Sequence, residues 1–245
     1  MSSPRITRRS TEYTVRVSSR AKYVRLKVSH KRGLEVVVPA GFDASAIPSI
    51  LSRKHDWIER SLHRVREQLA VRAALSPGGR PETIELPAVG ELWRVRYRPL
   101  RHRPRITLTE EAAGLLTMEG PMERTEVGDA LLRRWLKGKG RTVLGPWLEG
   151  TSRELRLPYR RCSVRGQKTR WGSCSSHGTI SLNFKLLFLP THLVRYLFVH
   201  ELCHTRHLDH SAKFWRLVRS REPDYQRLEA ELNEAWRFVP LWVDE

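Results

Sequence analysis

Cysteine is scarce in this sequence, and long apolar runs are absent from it. Its three cysteines cannot close a disulfide framework, and their spacing matches no zinc ribbon. No apolar run approaches the roughly 20 residues that a helix needs to cross a bilayer. The first residues, MSSPRITRRSTEYT, have no apolar stretch behind their charges, so we expect no signal peptide. These absences favour a protein of the reducing cytoplasm that does not contact a membrane.

Acidic residues are also few, because 26 aspartates and glutamates face 45 lysines and arginines, for a formal net charge of +19. Such a field attracts polyanions such as nucleic acid, nucleotides or acidic protein segments. The alternative is an arginine-rich composition without any such partner, since no single Lys/Arg run or nucleic-acid-reading motif stands out. A hydrophobic content of 40% and eight tryptophans are enough for a core, which excludes a disordered chain.

The first third of the sequence alternates apolar and polar residues with the period of β-strands. The segments YTVRVSS and YVRLKVS lead through the turn HKRG into LEVVVP, which indicates a hairpin. Asp43 is then a helix cap. Apolar residues at helical spacing predict a helix over about 43–75, which ends before the linker SPGGRP.

A similar pattern follows the linker. ELWRVRYRPL and RITLTEEAAGLLTMEGP again predict three strands, and an amphipathic stretch follows in which Gly138, Gly140, Gly145 and Pro146 are expected to break or kink a helix. The two patterns indicate two related units of strands plus helix, or else chance alternation in short strands. We therefore expect an α+β protein with a β-rich N-terminal region, a β-meander plus one long helix, over residues 1–125 and a second domain over 126–245.

The second domain ends in short strands and then helices. YRRCSVRGQKTRWGSCSSHGTISLNF predicts two or three strands with turns at its glycines. Helical periodicity follows Pro190, and a last helix is expected to end near Phe238.

Four histidines lie in the segment VHELCHTRHLDHSAKFW, Val199–Trp215. On a helix, residues four apart differ by about 40° in rotation and about 6 Å in rise, so His200 and His204 can direct their imidazoles at one ion. Glu201 is rotated by about 100°, which suits a general base better than a ligand. This is the His-Glu-x-x-His pattern of zinc hydrolases. The alternative is a pair of hydrogen-bonded histidines on a helix.

The segment offers two candidates for the third ligand that a catalytic zinc site needs. His207 shares a helical face with His204 but lies about 10 Å along the axis from His200, so three rings on one straight helix do not converge easily. His210 reaches the ion if the helix ends near Leu208–Asp209, where aspartate tolerates a left-handed conformation. We favour His210, which leaves His207 to line the pocket or to lie at the surface.

The segment HELCHTRHLDHSAKFW, together with QKTRWGSCSSHGTISLNFKLLFLP upstream, resembles the YgjP-like and SprT-like metallopeptidases. The N-terminal strands followed by KHDWIERSL resemble the YgjP type as well, so the resemblance covers nearly the whole chain. It implies a compact zincin-type catalytic domain with a small sheet and an active-site helix. It also implies one Zn²⁺ ion held by His200, His204 and His210, with Glu201 as the base. His207 in place of a glycine, and the lack of a methionine turn, argue against a metzincin.

The resemblance also gives the segment RWGSC a role. In zincins, a strand edge beside the metal binds extended substrate by backbone pairing. The candidate substrate-binding residues are therefore Arg170, Trp171, Gly172 and Ser173. The alternative is that Trp171 is a core aromatic residue and that Gly172 and Ser173 form a bulge.

These observations favour a zinc-dependent metallopeptidase that hydrolyses protein or peptide substrates through a metal-bound water, with Glu201 as general base. Tyr196 and Tyr225 are candidates for stabilising the oxyanion.

Two alternative functions stay open. Some relatives of the YgjP type are described as nucleoside triphosphate pyrophosphatases, although no phosphate-cradling glycine loop is visible. The N-terminal region could instead bind DNA or RNA and bring a protease to proteins on nucleic acid, as SprT-like relatives do.

Overall fold

The computed structural model of the protein describes residues 12–29, 32–75, 80–112, 114–123 and 125–244. The chain divides into two compact units, one ending at Val71 and the other beginning at Arg72. Within the described ranges, six α-helices and ten strands in three mixed sheets confirm the α+β class. The predicted limits 1–125 and 126–245 stay a prediction about which parts of the chain fold independently.

The first unit contains a three-stranded sheet. Its strands are β1 (Tyr13–Ser18), β2 (Arg25–Ser29) and β3 (Gly33–Pro39), in the order β1-β3-β2. β2 pairs antiparallel with β3, which confirms the predicted hairpin, and β1 runs parallel to β3. Strand alternation puts Val36 and Val38 on one face, where they pack with Ile47. His30 and Lys31 of the predicted turn lie outside the described residues.

The helix predicted over about 43–75 is divided in the structure. Asp43 caps it as expected, because its carboxylate accepts a hydrogen bond from the Ser45 amide, but the first turn is a 3₁₀-helix over Ala44–Ala46. α1 (Ile47–Arg53) follows, and α2 (His55–Ala74) begins after Lys54, whose φ of −112° and ψ of 13° interrupt the helix. Residues 76–79 of the predicted linker are outside the described ranges.

The second unit begins with a four-stranded sheet followed by a long helix. The strands β4 (Thr83–Leu86), β5 (Glu91–Pro99), β6 (Thr107–Ala112) and β7 (Leu115–Gly120) lie in the order β4-β5-β7-β6. α3 (Thr125–Leu155) then continues for 31 residues through the three glycines and Pro146, so the predicted break does not occur. All of its leucines except the half-buried Leu131 are buried in the core, and Gly140 permits close packing, since a Cβ there would lie 3.1 Å from Phe184 Cβ. Tertiary packing outweighs the low helix propensity of these residues.

The strands β5, β6 and β7 repeat the arrangement of β1, β2 and β3. In each set, the first strand is parallel and the second antiparallel to the third. Val15 pairs with Val36 and Tyr97 pairs with Met118, a separation of 21 residues in both sets. The antiparallel partners of Val36 and Met118 are each 10 residues away. The two sets of strands therefore share both topology and register, which favours related units over the alternative of chance alternation.

A third sheet with the same topology lies beside the histidine-bearing helix. Its strands are β8 (Arg161–Arg165), β9 (Gly172–Cys174) and β10 (Thr179–Asn183), in the order β8-β10-β9. The helices that follow are α4 (Thr191–Cys203), α5 (Ala212–Arg221) and α6 (Tyr225–Glu234), and a 3₁₀-helix ends at Phe238. α4 packs against α3, α5, α6 and β9, so its last turn is enclosed by the core. Among the described segments, no helix is both long and apolar enough to cross a membrane.

Candidate metal centre

The histidine-rich segment spans the end of α4 and the turn after it. α4 ends at Cys203, whose carbonyl accepts hydrogen bonds from the amides of Arg206 and His207. The helix therefore ends before the expected position at Leu208–Asp209. The break requires no left-handed aspartate, because Arg156 is the only described non-glycine residue with a positive φ. The early end allows residues after the helix to return to its last turn.

Three imidazole nitrogens converge at this turn. Nε2 of His200 lies 3.2 Å from Nε2 of His204 and 3.2 Å from Nε2 of His210. One ligand atom from each histidine lies within 4.8 Å of the other two. Nitrogen ligands about 2.0–2.1 Å from a tetrahedral zinc ion are separated by roughly 3.3 Å. The three residues therefore fit a single cation, which also relieves the repulsion between nitrogen lone pairs that face one another.

The opposite ring nitrogens of two of these histidines lie near other polar atoms of the site. Nδ1 of His204 lies 2.9 Å from the backbone oxygen of His207, so its N–H donates to that carbonyl and leaves Nε2 free for a metal. Nδ1 of His200 is buried, makes no hydrogen bond within the described chain, and lies 3.7 Å from Oε2 of Glu229. His207 thus contributes through its backbone.

Phe214 of α5 forms an apolar surface under the cluster. Its ring centroid lies 5.0, 4.4 and 4.9 Å from those of His200, His204 and His210. Burial, together with the neighbouring histidines, lowers the pKa of His200 to about 3. Burial also lowers the pKa of His204. Both rings are therefore neutral near pH 7, which is the form that binds a metal.

Glu201 follows His200 on α4 and is buried, with 4% of its surface exposed. Its carboxylate lies against Gly172 of β9, where an added Cβ would be 2.6 Å from Oε1. Oε2 is buried and has no hydrogen-bond partner among the residues that the structure describes. Burial raises the pKa of Glu201 to about 8, although Arg170 opposes the shift. Because a cation held by the neighbouring histidines would favour the ionised form, a buried carboxylate with a free oxygen at this position is suited to general-base chemistry.

Trp171 lies in the core. It is 7% exposed, its ring stacks on Trp236 with centroids 4.1 Å apart, and its Nε1–H donates to the backbone oxygen of Leu232 at 3.2 Å. The indole therefore supports the start of β9 from the interior.

The other candidate substrate-binding residues lie on or beside an edge strand. Arg170 is exposed, and Gly172 and Ser173 pair in regular register with Leu182 and Ser181 of β10, without a bulge. Within the described ranges β9 pairs with β10 alone, so its other edge carries unpaired backbone groups.

Some residues of the site were not identified from the sequence. Glu229 is one of several acidic residues on α6, and Phe214 has the spacing of an ordinary apolar helix position, so neither has a distinctive local signal.

Tyr196, a candidate oxyanion stabiliser, is fully buried and donates its hydroxyl to Glu229 Oε2 at 2.7 Å. The second candidate, Tyr225, stacks on Trp215 with centroids 5.3 Å apart.

The last turn and the cap of α4 carry two histidines and a buried glutamate, and a third histidine returns to them from the following turn. This arrangement is typical of metal-dependent hydrolases. A family model described as "YgjP-like, metallopeptidase domain" matches residues 22–235. The chain belongs to the YgjP-like metallopeptidase family, so the resemblance drawn from the sequence is confirmed and the protein is a metallopeptidase, a hydrolase.

Two solved structures are similar to part of the chain. The metallopeptidase zymogen abylysin of Pyrococcus abyssi is 26% identical, with 37% of this chain and 91% of that chain covered and a TM-score of 0.34. The metallopeptidase zymogen jannalysin of Methanocaldococcus jannaschii is 19% identical, with 36% and 92% covered and a TM-score of 0.33. No curated protein is similar enough to this sequence to count as a match.

Proposed function

We propose that this metallopeptidase is zinc-dependent, with one Zn²⁺ held by His200, His204 and His210 and with Glu201 as the general base. The proposal is supported mainly by the convergence of three Nε2 atoms: that of His200 lies 3.2 Å from those of His204 and His210. They meet at the end of the helix that bears the buried Glu201. When bound there, Zn²⁺ supplies a Lewis acid that lowers the pKa of water towards about 7 and polarises a scissile carbonyl.

Glu201 moves the proton in this proposal. Its buried position favours the protonated form after transfer, and its Oε2 atom has no competing hydrogen bond among the described residues. We infer that Glu201 takes a proton from the attacking water and delivers it to the leaving amine. The carboxylate occupies space beside Gly172 that a side chain at this position would take.

The substrate is a polypeptide in an extended conformation. The open edge of β9 offers the backbone groups of Gly172 and Ser173 for pairing, and Glu201 lies directly against this strand. Arg170 adds an exposed positive charge at the start of the edge, and Trp171 holds the strand in place from the core.

The experiment compares wild-type protein with Glu201→Gln and Glu154→Gln. Glu154 forms an exposed ion pair with Arg195, so this control changes a glutamate away from the site. We expect about one bound zinc in all three proteins and cleavage of a disordered protein by wild type and Glu154→Gln, with a loss of at least about 100-fold in Glu201→Gln. Turnover by Glu201→Gln at the wild-type rate would refute the general base.

Parallel assays test the substrate class. The same preparations are incubated with nucleoside triphosphates, and peptide cleavage is repeated with single-stranded DNA at low salt. We expect no release of pyrophosphate above that of Glu201→Gln and no effect of DNA. Pyrophosphate release that depends on Glu201, without peptide cleavage, would overturn the assignment to polypeptide substrates.

A further inference from the structure

Glu229 of α6 lies against two side chains of α4 that are one helical turn apart. Its Oε2 atom accepts a hydrogen bond from the hydroxyl of Tyr196 at 2.7 Å and lies 3.7 Å from Nδ1 of His200. Because residues four apart share a helical face, one carboxylate from a neighbouring helix can reach both.

The proton on His200 faces this carboxylate when Nε2 ligates a metal. Nε2 of His200 is directed at the other two histidines, and an imidazole that ligates a metal through Nε2 carries its single N–H on Nδ1. Nδ1 is buried and makes no hydrogen bond with any described residue, although a buried N–H normally has an acceptor. An N–H···O bond spans 2.7–3.2 Å, so the remaining gap is on the order of half an ångström, within reach of a small rotation of Glu229.

We infer that Glu229 is a positioning residue of the metal centre, held by Tyr196 and closing on His200 when the metal binds. This inference rests on the proposed function. A carboxylate that accepts a hydrogen bond from Nδ1–H fixes the orientation of the ring. It also makes the lone pair of Nε2 a stronger ligand for the metal. It also places a negative charge next to a site whose three ligands are neutral imidazoles. His204 differs, because its Nδ1 partner is the neutral carbonyl of His207.

The test is the dissociation constant for Zn²⁺, measured by competition with a chromophoric chelator. Glu229→Gln keeps the size of the side chain and removes its charge, and we expect it to weaken binding by about 10–100-fold. Tyr196→Phe releases Glu229 without removing it, so a smaller loss in the same direction is expected. The matched control is Glu231→Gln on the same helix, whose carboxylate contacts His192 and Arg227 instead, and its affinity should stay within about twofold of wild type.

A second measurement uses the wild-type protein, so the inference does not depend on how the variants fold. In nitrogen-15 NMR spectra of the zinc-loaded protein, His200 should show an Nδ1-bound proton protected from exchange. The absence of such a proton, or a Glu229→Gln affinity equal to wild type, would overturn the inference.

The two proposals fail in different ways. If His200→Ala binds zinc as tightly as wild type, the metal site itself is wrong. If His200→Ala loses zinc while Glu229→Gln and Tyr196→Phe keep the wild-type affinity, the site stands and only the role of Glu229 is refuted.

Discussion

Gly172 of β9 and Glu201 of α4 are packed so closely that no side chain fits between them. A Cβ at position 172 would lie 2.6 Å from Oε1 and 2.9 Å from both Cγ and Cδ of the glutamate. Gly172 is held by its pairing with Leu182, and Glu201 belongs to a buried helix, so neither backbone yields easily. The glycine of the RWGSC segment therefore shapes the space that the carboxylate occupies.

Gly172→Ala should reduce kcat by about 100-fold, because a methyl group displaces the Glu201 carboxylate by about 1 Å. Bound metal should be unchanged, since the histidines are not displaced. Steady-state kinetics and metal analysis check this result. Gly150→Ala is the control, because no described residue beyond its own helical turn has an atom within 4 Å of an added Cβ there. It should keep full activity and gain about 0.5–1 kcal/mol of stability from helix propensity. A Gly172→Ala enzyme with wild-type kcat would show that Glu201 tolerates displacement.

His210→Ala should lose most of its bound zinc, whereas His207→Ala should retain it. His210 supplies one of the converging Nε2 atoms, but His207 contributes only the backbone oxygen that accepts from His204, and an alanine keeps that oxygen. Metal content after dialysis distinguishes the two variants. The reverse pattern would make His207 the third ligand.

Removal of the metal should lower the melting temperature. The three nitrogens converge only in the folded protein, so zinc at 1,000 times its dissociation constant adds about 4 kcal/mol to the free energy of unfolding. Thermal denaturation with and without a chelator measures this difference. His204→Ala should respond little to the chelator. An undiminished response in that variant would indicate that the stabilising ion binds elsewhere.

Asp244 should stabilise the protein at neutral pH and lose this effect in acid. Burial alone would raise its pKa, but hydrogen bonds and charges from Lys185 and Arg72 outweigh burial and hold the pKa below 3.8. A folded-state pKa below the unfolded value means that the contribution is present above about pH 4 and is lost as the pH falls through the folded-state pKa.

Asp244→Asn should therefore lower the free energy of unfolding by about 3–5 kcal/mol at pH 7, because it removes the charge of a buried anion that pairs with both Arg72 and Lys185. Urea unfolding between pH 3 and pH 7 measures the deficit of the variant, that is, how far its free energy of unfolding falls below that of wild type. This deficit should narrow below about pH 4. Glu154→Gln, at an exposed pair, should cost at most about 1 kcal/mol. A deficit that is the same at every pH would exclude an effect of the Asp244 charge.

The parts of the site that follow from local geometry could be predicted from the sequence. His200 and His204 are one helical turn apart, so helical periodicity alone puts their rings on one face. The structure brings His210 to this pair, but through a helix that ends at Cys203 rather than near Leu208–Asp209. Periodicity does not locate a helix end that is set by hydrogen bonds in the following turn.

The parts that depend on distant segments could not be predicted. Glu229 reaches His200 from α6, and Gly172 meets Glu201 across the contact between β9 and α4. The continuous α3 is a similar case, since Gly140 looks like a helix breaker in the sequence but permits the helix to approach Phe184. Each of these relationships arises from tertiary packing, which local residue preferences do not encode.

The end of α4 at Cys203 also has an electrostatic consequence for the ligands it carries. Aligned peptide dipoles give a helix a partial negative charge at its C-terminus, and His200 and His204 lie in the last turn and at the cap. The macrodipole therefore favours a cation at this position by about 0.3–1 kcal/mol before any side chain is considered. In a chain with a formal charge of +19, this backbone field offsets part of the repulsion that an incoming metal ion meets.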